Sequence, residues 1–243
     1  MRMLVLSDVH GNLPALEAVL AEAHDAVACL GDIVGYGPQP AECLALLRAE
    51  AAVTVSGNHD RAVAEGIAPR CSQRFEWLAE AVSAIARTAL TSDDVAYLAA
   101  LPHGATLETA GVAIALVHAT PSDPLYGYRG SDARLWKRDV GSIGADVLLV
   151  GHTHIQFRLA VDEVAVINPG SVGQPKDGDA RAAYAVVEDG SVTLRRVAYD
   201  VERTIRALER APIDRDAVEV LAALLRTGRV HQGCDPHQGR PGR

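Results

Sequence analysis

Five short segments of this chain place aspartate, histidine or asparagine directly after an apolar run: Asp8-Val9-His10, Gly31-Asp32, Gly57-Asn58-His59-Asp60, His118 and Gly151-His152-Thr153-His154. Carboxylate, imidazole and amide oxygen without thiolate suit manganese, iron, zinc, cobalt or nickel. In an extended chain, residues two apart face the same side, so Asp8 can share an ion with His10, and His152 with His154. Where the strand has already ended, a turn sends such neighbours to adjacent ions instead. A carboxylate such as Asp32 can bridge two cations about 3.5–4 Å apart. Such a pair binds phosphoryl oxygens and lowers the pKa of a bridging water towards neutrality. Hydroxide is then the nucleophile, and no serine or cysteine is needed for that role.

Each segment also has an ordinary reading. Gly-Asp is a common turn, a single histidine at a strand end is commonly just hydrogen-bonded, and Asn-His-Asp serves well as a helix cap. The argument lies in the coincidence of five such segments in order, each behind a strand-like run.

Those runs are Leu4–Leu6, Ala26–Leu30, Val53–Val55, Val112–Val117 and Val147–Val150. Between the first three the spacing predicts helices. One is capped by Asn12, with Pro14 in its first turn, and carries Leu13, Leu16, Val19, Leu20 and Ala23 on one face; another spans 42–50. Alternating strand and helix implies an α/β fold with parallel strands, whose carboxyl ends share one edge of the sheet. Residues 72–101 are alanine-rich and predicted helical, with Phe75, Trp77, Leu78, Val82 and Ile85 spaced to pack on the sheet. Strand-like segments at 106–108 and 112–117 flank Gly111, and a short helix is expected at 135–140. Four more strand-like stretches follow, at 156–160, 164–167, 182–187 and 192–197. Beyond Pro212 a helix at 216–225 is expected, then a tail rich in glycine and arginine. This divides the chain into a main domain (1–211), a helical appendage (212–226) and a disordered tail (227–243).

The chain has 243 residues, 49% of them apolar, and a formal charge of −8. That balance disfavours an extended nucleic-acid surface. No apolar run is long enough to span a bilayer, so no membrane partner is expected. Cys29, Cys43, Cys71 and Cys234 are scattered, which points to reduced thiols and a cytoplasmic location.

The five segments resemble the calcineurin-like metallophosphoesterase family, whose pattern runs D-x-H, G-D-x-x-G, G-N-H-[DE], H and G-H-x-H. The resemblance extends from Met1 to about Val197, and no ligand is missing. It implies a four-layer α/β/β/α sandwich of two mixed β-sheets flanked by helices, with the metal site at the carboxyl ends of the strands. It further implies two divalent ions, manganese first and iron, zinc, nickel or cobalt as alternatives. Asp8, His10 and His154 would hold one ion, Asn58, His118 and His152 the other, with Asp32 bridging. His59 is similar to the family's histidine that contacts phosphate and protonates the leaving oxygen, and Asp60 would orient it. The implied activity is hydrolysis of phosphate monoesters or diesters by a metal-bridging hydroxide, on a small phosphoester, a nucleotide or a phosphoprotein. The alternative is a catalytically idle scaffold of the same fold that binds a protein partner.

Several residues sit beside this pattern. Asn168-Pro169-Gly170-Ser171 resembles the family's N-P-G-S turn and is read as support for the site. Tyr36, Tyr126, Tyr128 and Arg129 either border the substrate or belong to ordinary loops. His231, Cys234 and His237 are too few, in too glycine-rich a segment, to form a metal site of their own. His24 and His103 have no evident partner.

Overall fold

The structure, a computed structural model, describes residues 1–70 and 73–230, with side chains throughout except at 73–76. In chain order the elements are β1 (Arg2–Leu6), α1 (Leu13–Leu20), β2 (Ala26–Cys29), α2 (Pro40–Glu50), β3 (Ala51–Thr54), α3 (Asn58–Glu65), α4 (Gln73–Ala89), α5 (Ser92–Ala100), β4 (Gly104–Thr109) and β5 (Val112–Val117). A 3-10 turn (Ala133–Leu135) leads into α6 (Lys137–Val140), β6 (Val147–Leu149), β7 (Phe157–Val161), β8 (Val164–Asn168), β9 (Ala182–Glu188), β10 (Ser191–Val197), α7 (Val201–Leu208) and α8 (Arg215–Thr227).

Alternation along β1 sets the layering. Leu4 and Leu6 point outward, with Val27 and Cys29 of β2, onto Leu13, Leu16, Leu44 and Leu47 of α1 and α2. Met3 and Val5 point the other way and meet Ile114, Leu116, Val147 and Leu149 of the second sheet. On the far face of that sheet, Val117, Leu148 and Val166 lie under Trp136 and Val140. The result is the expected α/β/β/α sandwich of two mixed, five-stranded sheets, ordered β10-β9-β1-β2-β3 and β4-β5-β6-β8-β7. β1 to β3 run parallel, as do β5, β6 and β8. β9 returns antiparallel to β1, with Val187 opposite Met3. Among the described residues, no helix is long and apolar enough to cross a membrane. Cys29 and Cys43 are buried and free; Cys71 and Cys234 lie outside the described residues.

The middle helices differ from expectation in what they cover. Leu78, Val82 and Ile85 of α4 pack against Ile205, Leu208, Ala217 and Leu221 of α7 and α8, not against a sheet. The Phe75 side chain lies outside the described residues. The sequence reading had no element at α7, although its signals were present: Asp200 accepts the Arg203 amide as an N-cap, and Val201, Ile205 and Leu208 recur at helical spacing. α8, which packs on α7, gives α4 an apolar partner away from the sheet. His231, Cys234 and His237, with the rest of the expected tail beyond Val230, are outside the described residues.

α5 starts at a capping box in which Thr91 Oγ1 accepts from the Asp94 amide at 3.2 Å and Asp94 Oδ2 accepts from the Thr91 amide at 3.0 Å. Thr91→Ala removes half of that exchange and is expected to lower stability by about 1 kcal/mol. The measurement is the urea midpoint, and an unchanged midpoint would show the box to be idle.

Candidate metal centre

Seven donors predicted from sequence converge on one edge, supplied by both sheets. Asp8 and His10 follow β1, Asp32 follows β2 and Asn58 follows β3, while His118 follows β5 and His152 and His154 follow β6. The loops are cross-tied by backbone bonds: Asp8 N donates to Gly31 O, His10 N to Asp32 O, and Gly151 N to His118 O. Asp8, His10, Asp32, Asn58, His118 and His154 are buried and His152 is half-buried.

Backbone conformation decides which donors meet. Asp8, His10, Asp32, His152 and His154 have φ of 53°, 49°, 53°, 66° and 59°, the left-handed region that costs a non-glycine residue about 1 kcal/mol or more. These turns break strand alternation. Asp8 and His10 nonetheless stay together, joined by His154, whereas His152 joins Asp32 and His118; within each group the potential ligand atoms lie within 4.8 Å of one another. A third overlapping group is His10, Asp32 and His59.

Each carboxylate gives one oxygen to the protein and keeps the other for the centre. Asp8 Oδ2 accepts from Ser7 Oγ at 2.6 Å and from the His152 amide at 3.0 Å. Its Oδ1, buried without a hydrogen-bond donor, lies 3.4 Å from His154 Nε2. Asp32 Oδ1 accepts from the His59 amide at 2.8 Å. Its Oδ2, also without a donor, lies 3.7 Å from His10 Nε2 and 3.4 Å from His118 Nε2.

The imidazoles are aimed in the same way. His10 Nδ1 donates to Val34 O, His118 Nδ1 to Leu30 O and His154 Nδ1 to Gln174 O, at 3.1, 2.8 and 2.6 Å. A carbonyl can only accept, so each Nδ1 carries a hydrogen and Nε2 is the atom presented inward. His10 Nε2 and His154 Nε2 are then 3.1 Å apart. Burial holds both rings well below the usual histidine range, so two bare lone pairs face each other, an arrangement that a cation between them would relieve. Burial disfavours the charged form of His118 too, but the Asp32 carboxylate overrides it and holds this ring up to about 9. Opposed lone pairs and orphaned carboxylate oxygens fit divalent cations, and a cation at His118 Nε2 would take the place of the proton that Asp32 draws there.

His59 borders the same centre, its ring 5.0 Å from that of His10 and 4.8 Å from that of Tyr36. Burial draws it down to about 4. Asp60 does something other than the expected orienting of His59. Its Oδ1 accepts from the Ile33 and Val34 amides, and its Oδ2 from the Gly57 amide. It therefore caps α3 and fastens the β2 and β3 loops together, which positions Asp32 and Asn58. The Asn168–Ser171 turn acts as support: Ser171 Oγ donates to Asp8 O at 2.7 Å and Asn168 Nδ2 to Gly151 O at 2.7 Å.

Above the donors opens a cavity of about 610 Å³, floored by Asp32, Asn58, His59, His152 and His154. Tyr36, Tyr126 and Tyr128 line it. Arg129 does not; its guanidinium is tied to Asp139 and to the Leu135 carbonyl. The sequence reading missed Arg70, Lys176 and Val230 on the wall, which stand in no pattern with the ligands, and Ile155, whose signal was its place directly after His154. His24 does have partners, the Glu22 carbonyl and the Glu50 carboxylate. His103 borders a separate groove along β4 and β5.

Two facing mixed sheets carrying such a donor set define a metallophosphoesterase type of protein. The comparisons agree: the model of the calcineurin-like phosphoesterase superfamily domain matches residues 1–190, and the chain belongs to that family. It is 33% identical over 221 residues to an uncharacterized protein of Methanocaldococcus jannaschii, covering 82% of this chain and 88% of the relative. It is 27% identical over 199 residues to the Escherichia coli phosphodiesterase YfcE, covering 80% of this chain and 91% of the relative. Among solved structures, a metallophosphoesterase from Sphaerobacter thermophilus superposes with a TM-score of 0.77 at 35% identity, covering 92% of this chain and 99% of that one.

Proposed function

We propose that the chain hydrolyses phosphate monoesters or diesters at a two-metal centre, with Asp8, His10 and His154 on one ion, Asn58, His118 and His152 on the other and Asp32 shared. The observation that carries this reading is the position of Asp32 Oδ2, a buried oxygen without a hydrogen-bond donor that faces both donor groups at 3.7 and 3.4 Å. Divalent ions held there, manganese first and iron, zinc, nickel or cobalt on the same donors, supply positive charge for phosphoryl oxygens and acidify a water.

The chain's own contribution is to aim lone pairs at fixed points and to exclude competing donors, so little reorganisation remains when the substrate arrives. His59 is assigned contact with the phosphoryl group and delivery of a proton to the leaving oxygen. A neutral imidazole cannot act as that acid, so the role requires the negative charge of the bound phosphoryl to favour the imidazolium. Asp60 takes part only as a positioning residue, through the loops that it fastens. The free thiols of Cys29 and Cys43 are compatible with a cytoplasmic setting. Against the rival reading, an idle scaffold, stands the complete donor set, which partner binding alone does not require.

The test is a panel of nitrophenyl and alkyl phosphate mono- and diesters run with each metal in turn. His59→Ala is expected to lose at least about tenfold more rate on alkyl esters than on nitrophenyl esters, because a good leaving group needs no proton. Equal losses would remove His59 as the acid. No turnover of any ester, by a chain that binds fewer than one ion, would leave the scaffold reading.

A further inference from the structure

We infer that the loop following His118 is an aromatic arm that reads a planar organic group on the ester, and that Arg129 and Asp139, which lie off the cavity, are the positioning residues that aim it. This rests on the phosphoesterase reading of the donors beneath the cavity. The arm begins one residue after His118 and brings Tyr126 and Tyr128 to the cavity wall. The Tyr128 ring stands 5.7 Å from that of His152 at an interplanar angle of 71°, and the residue is 68% exposed. Tyr126 carries the Arg70 guanidinium 5.1 Å over its ring, so Tyr128 offers the more open face of the two.

The arm is clamped through one residue, Ser122. Its amide donates to Asp139 Oδ1 at 3.1 Å, and its hydroxyl accepts from Arg129 Nη2 at 3.3 Å. The Arg129 guanidinium also pairs with Asp139 Oδ2 and donates to the Leu135 carbonyl, while Trp136 Nε1 donates to the Gly130 carbonyl at 2.9 Å. Both ends of the segment 122–130 are thereby fastened to the stretch 135–139, which includes α6. At the start of the arm, the Thr120 amide donates to the Asp123 carbonyl at 3.2 Å and the Asp123 amide to the Thr120 carbonyl at 3.1 Å. The Tyr126 amide then donates to Asp123 Oδ1 at 3.2 Å.

The Asp139 side chain is fully buried and belongs to a helix of only four residues. Removing a carboxylate and a guanidinium from water costs about as much as their attraction returns, so such a pair adds little net stability. What it does supply is a fixed geometry, because the planar guanidinium donates in set directions. Here that geometry joins α6 to both ends of the arm. Among the described residues, neither Arg129 nor Asp139 lines the cavity, so their influence on a substrate runs through Tyr126 and Tyr128. A planar group can stack on an open tyrosine face, whereas a small alkyl group has no flat face to offer.

The test uses the full chain with manganese and calorimetric binding of two probes, phenylphosphonate and methylphosphonate. They share the anionic head, lack a scissile ester and differ in the ring. The wild-type chain is expected to prefer the phenyl probe by about tenfold or more. Tyr128→Leu, a change at an exposed position, should remove about fivefold or more of that preference. Arg129→Ala should remove a similar factor while metal content and methylphosphonate affinity stay near their wild-type values. Because both act through the same ring, Tyr128→Leu and Arg129→Ala combined should lose no more than the larger single loss. Asp139→Asn, which keeps an acceptor for the Ser122 amide, is expected to reduce the preference in the same way and carries the test if Arg129→Ala does not fold. Equal binding of the two probes by the wild-type chain would overturn the proposal. So would additive losses in the double variant, an Arg129→Ala loss shared equally by both probes, or a preference untouched in Asp139→Asn. A phenyl preference that depends on Arg129 in a chain that hydrolyses no ester would overturn the hydrolytic reading and leave the positioning inference standing.

Discussion

Asp32→Ala is expected to lower turnover of a nitrophenyl phosphate ester by on the order of a thousandfold or more, the largest loss among single substitutions at this site. Two features account for the size of the effect. Asp32 Oδ2 faces His10 and His118 together, so its removal takes a ligand from both ions of the proposed pair. Asp32 Oδ1 holds the His59 amide at 2.8 Å, so the first turn of α3, which starts at Asn58, is released as well. Asp32→Asn separates the two contributions, because its amide oxygen can still accept from His59 while the charge is gone. Metal content by mass spectrometry should fall from close to two ions per chain to one or fewer in both variants, with the circular dichroism unchanged. Turnover within tenfold of wild type in a folded Asp32→Ala protein would refute the shared-ligand assignment.

The second large effect comes from adding a single methyl group. Gly57 has φ −93°, ordinary for any residue, so space alone decides whether alanine is tolerated. A Cβ there would stand 2.1 Å from Asp32 Oδ1 and 2.3 Å from the Asp32 backbone nitrogen. The nitrogen cannot swing aside, so the β2 and β3 loops must separate. Displacing a catalytic group by about 1 Å costs on the order of a hundredfold in rate, and overpacking about 1–3 kcal/mol in stability. Gly57→Ala is therefore expected to lose about a hundredfold in turnover and to unfold at lower urea, whereas Gly130→Ala, where a Cβ meets nothing within 4 Å, should match wild type in both assays. Normal kinetics in Gly57→Ala would show that the two loops can part without moving Asp32.

The donors were legible in the sequence because each follows a short continuous apolar run bounded by turn residues, the pattern of a buried strand. Leu4–Leu6 before Asp8 and Val147–Val150 before His152 are the clearest cases. The conformation that sorts the donors was not legible. Spacing left open whether such neighbours share an ion or part; Asp8 and His10 stay together and His152 and His154 part, although all four have left-handed φ. Asp60 misled for a related reason: its neighbour in sequence is His59, yet its partners are amides 26 and 27 residues away as well as Gly57. Arg70 and Lys176 carry no local signal, since their place on the cavity wall is set by tertiary contacts with Asn58 and His154. α7 could have been found from its cap and spacing.

The place of β1 in its sheet bears on how the molecule comes into being. All seven proposed ligands have been synthesised by residue 154, yet the strand leading to Asp8 and His10 lies between β2 and a partner, β9, that spans Ala182–Glu188. Until the ribosome has delivered that segment, β1 has an open edge and the nascent chain holds every ligand without the sheet that aims them. Pairings so distant in sequence form slowly, and unpaired edges invite association with other chains. Between the emergence of His154 and that of Glu188, therefore, the strand that leads to Asp8 and His10 still has one edge unpaired.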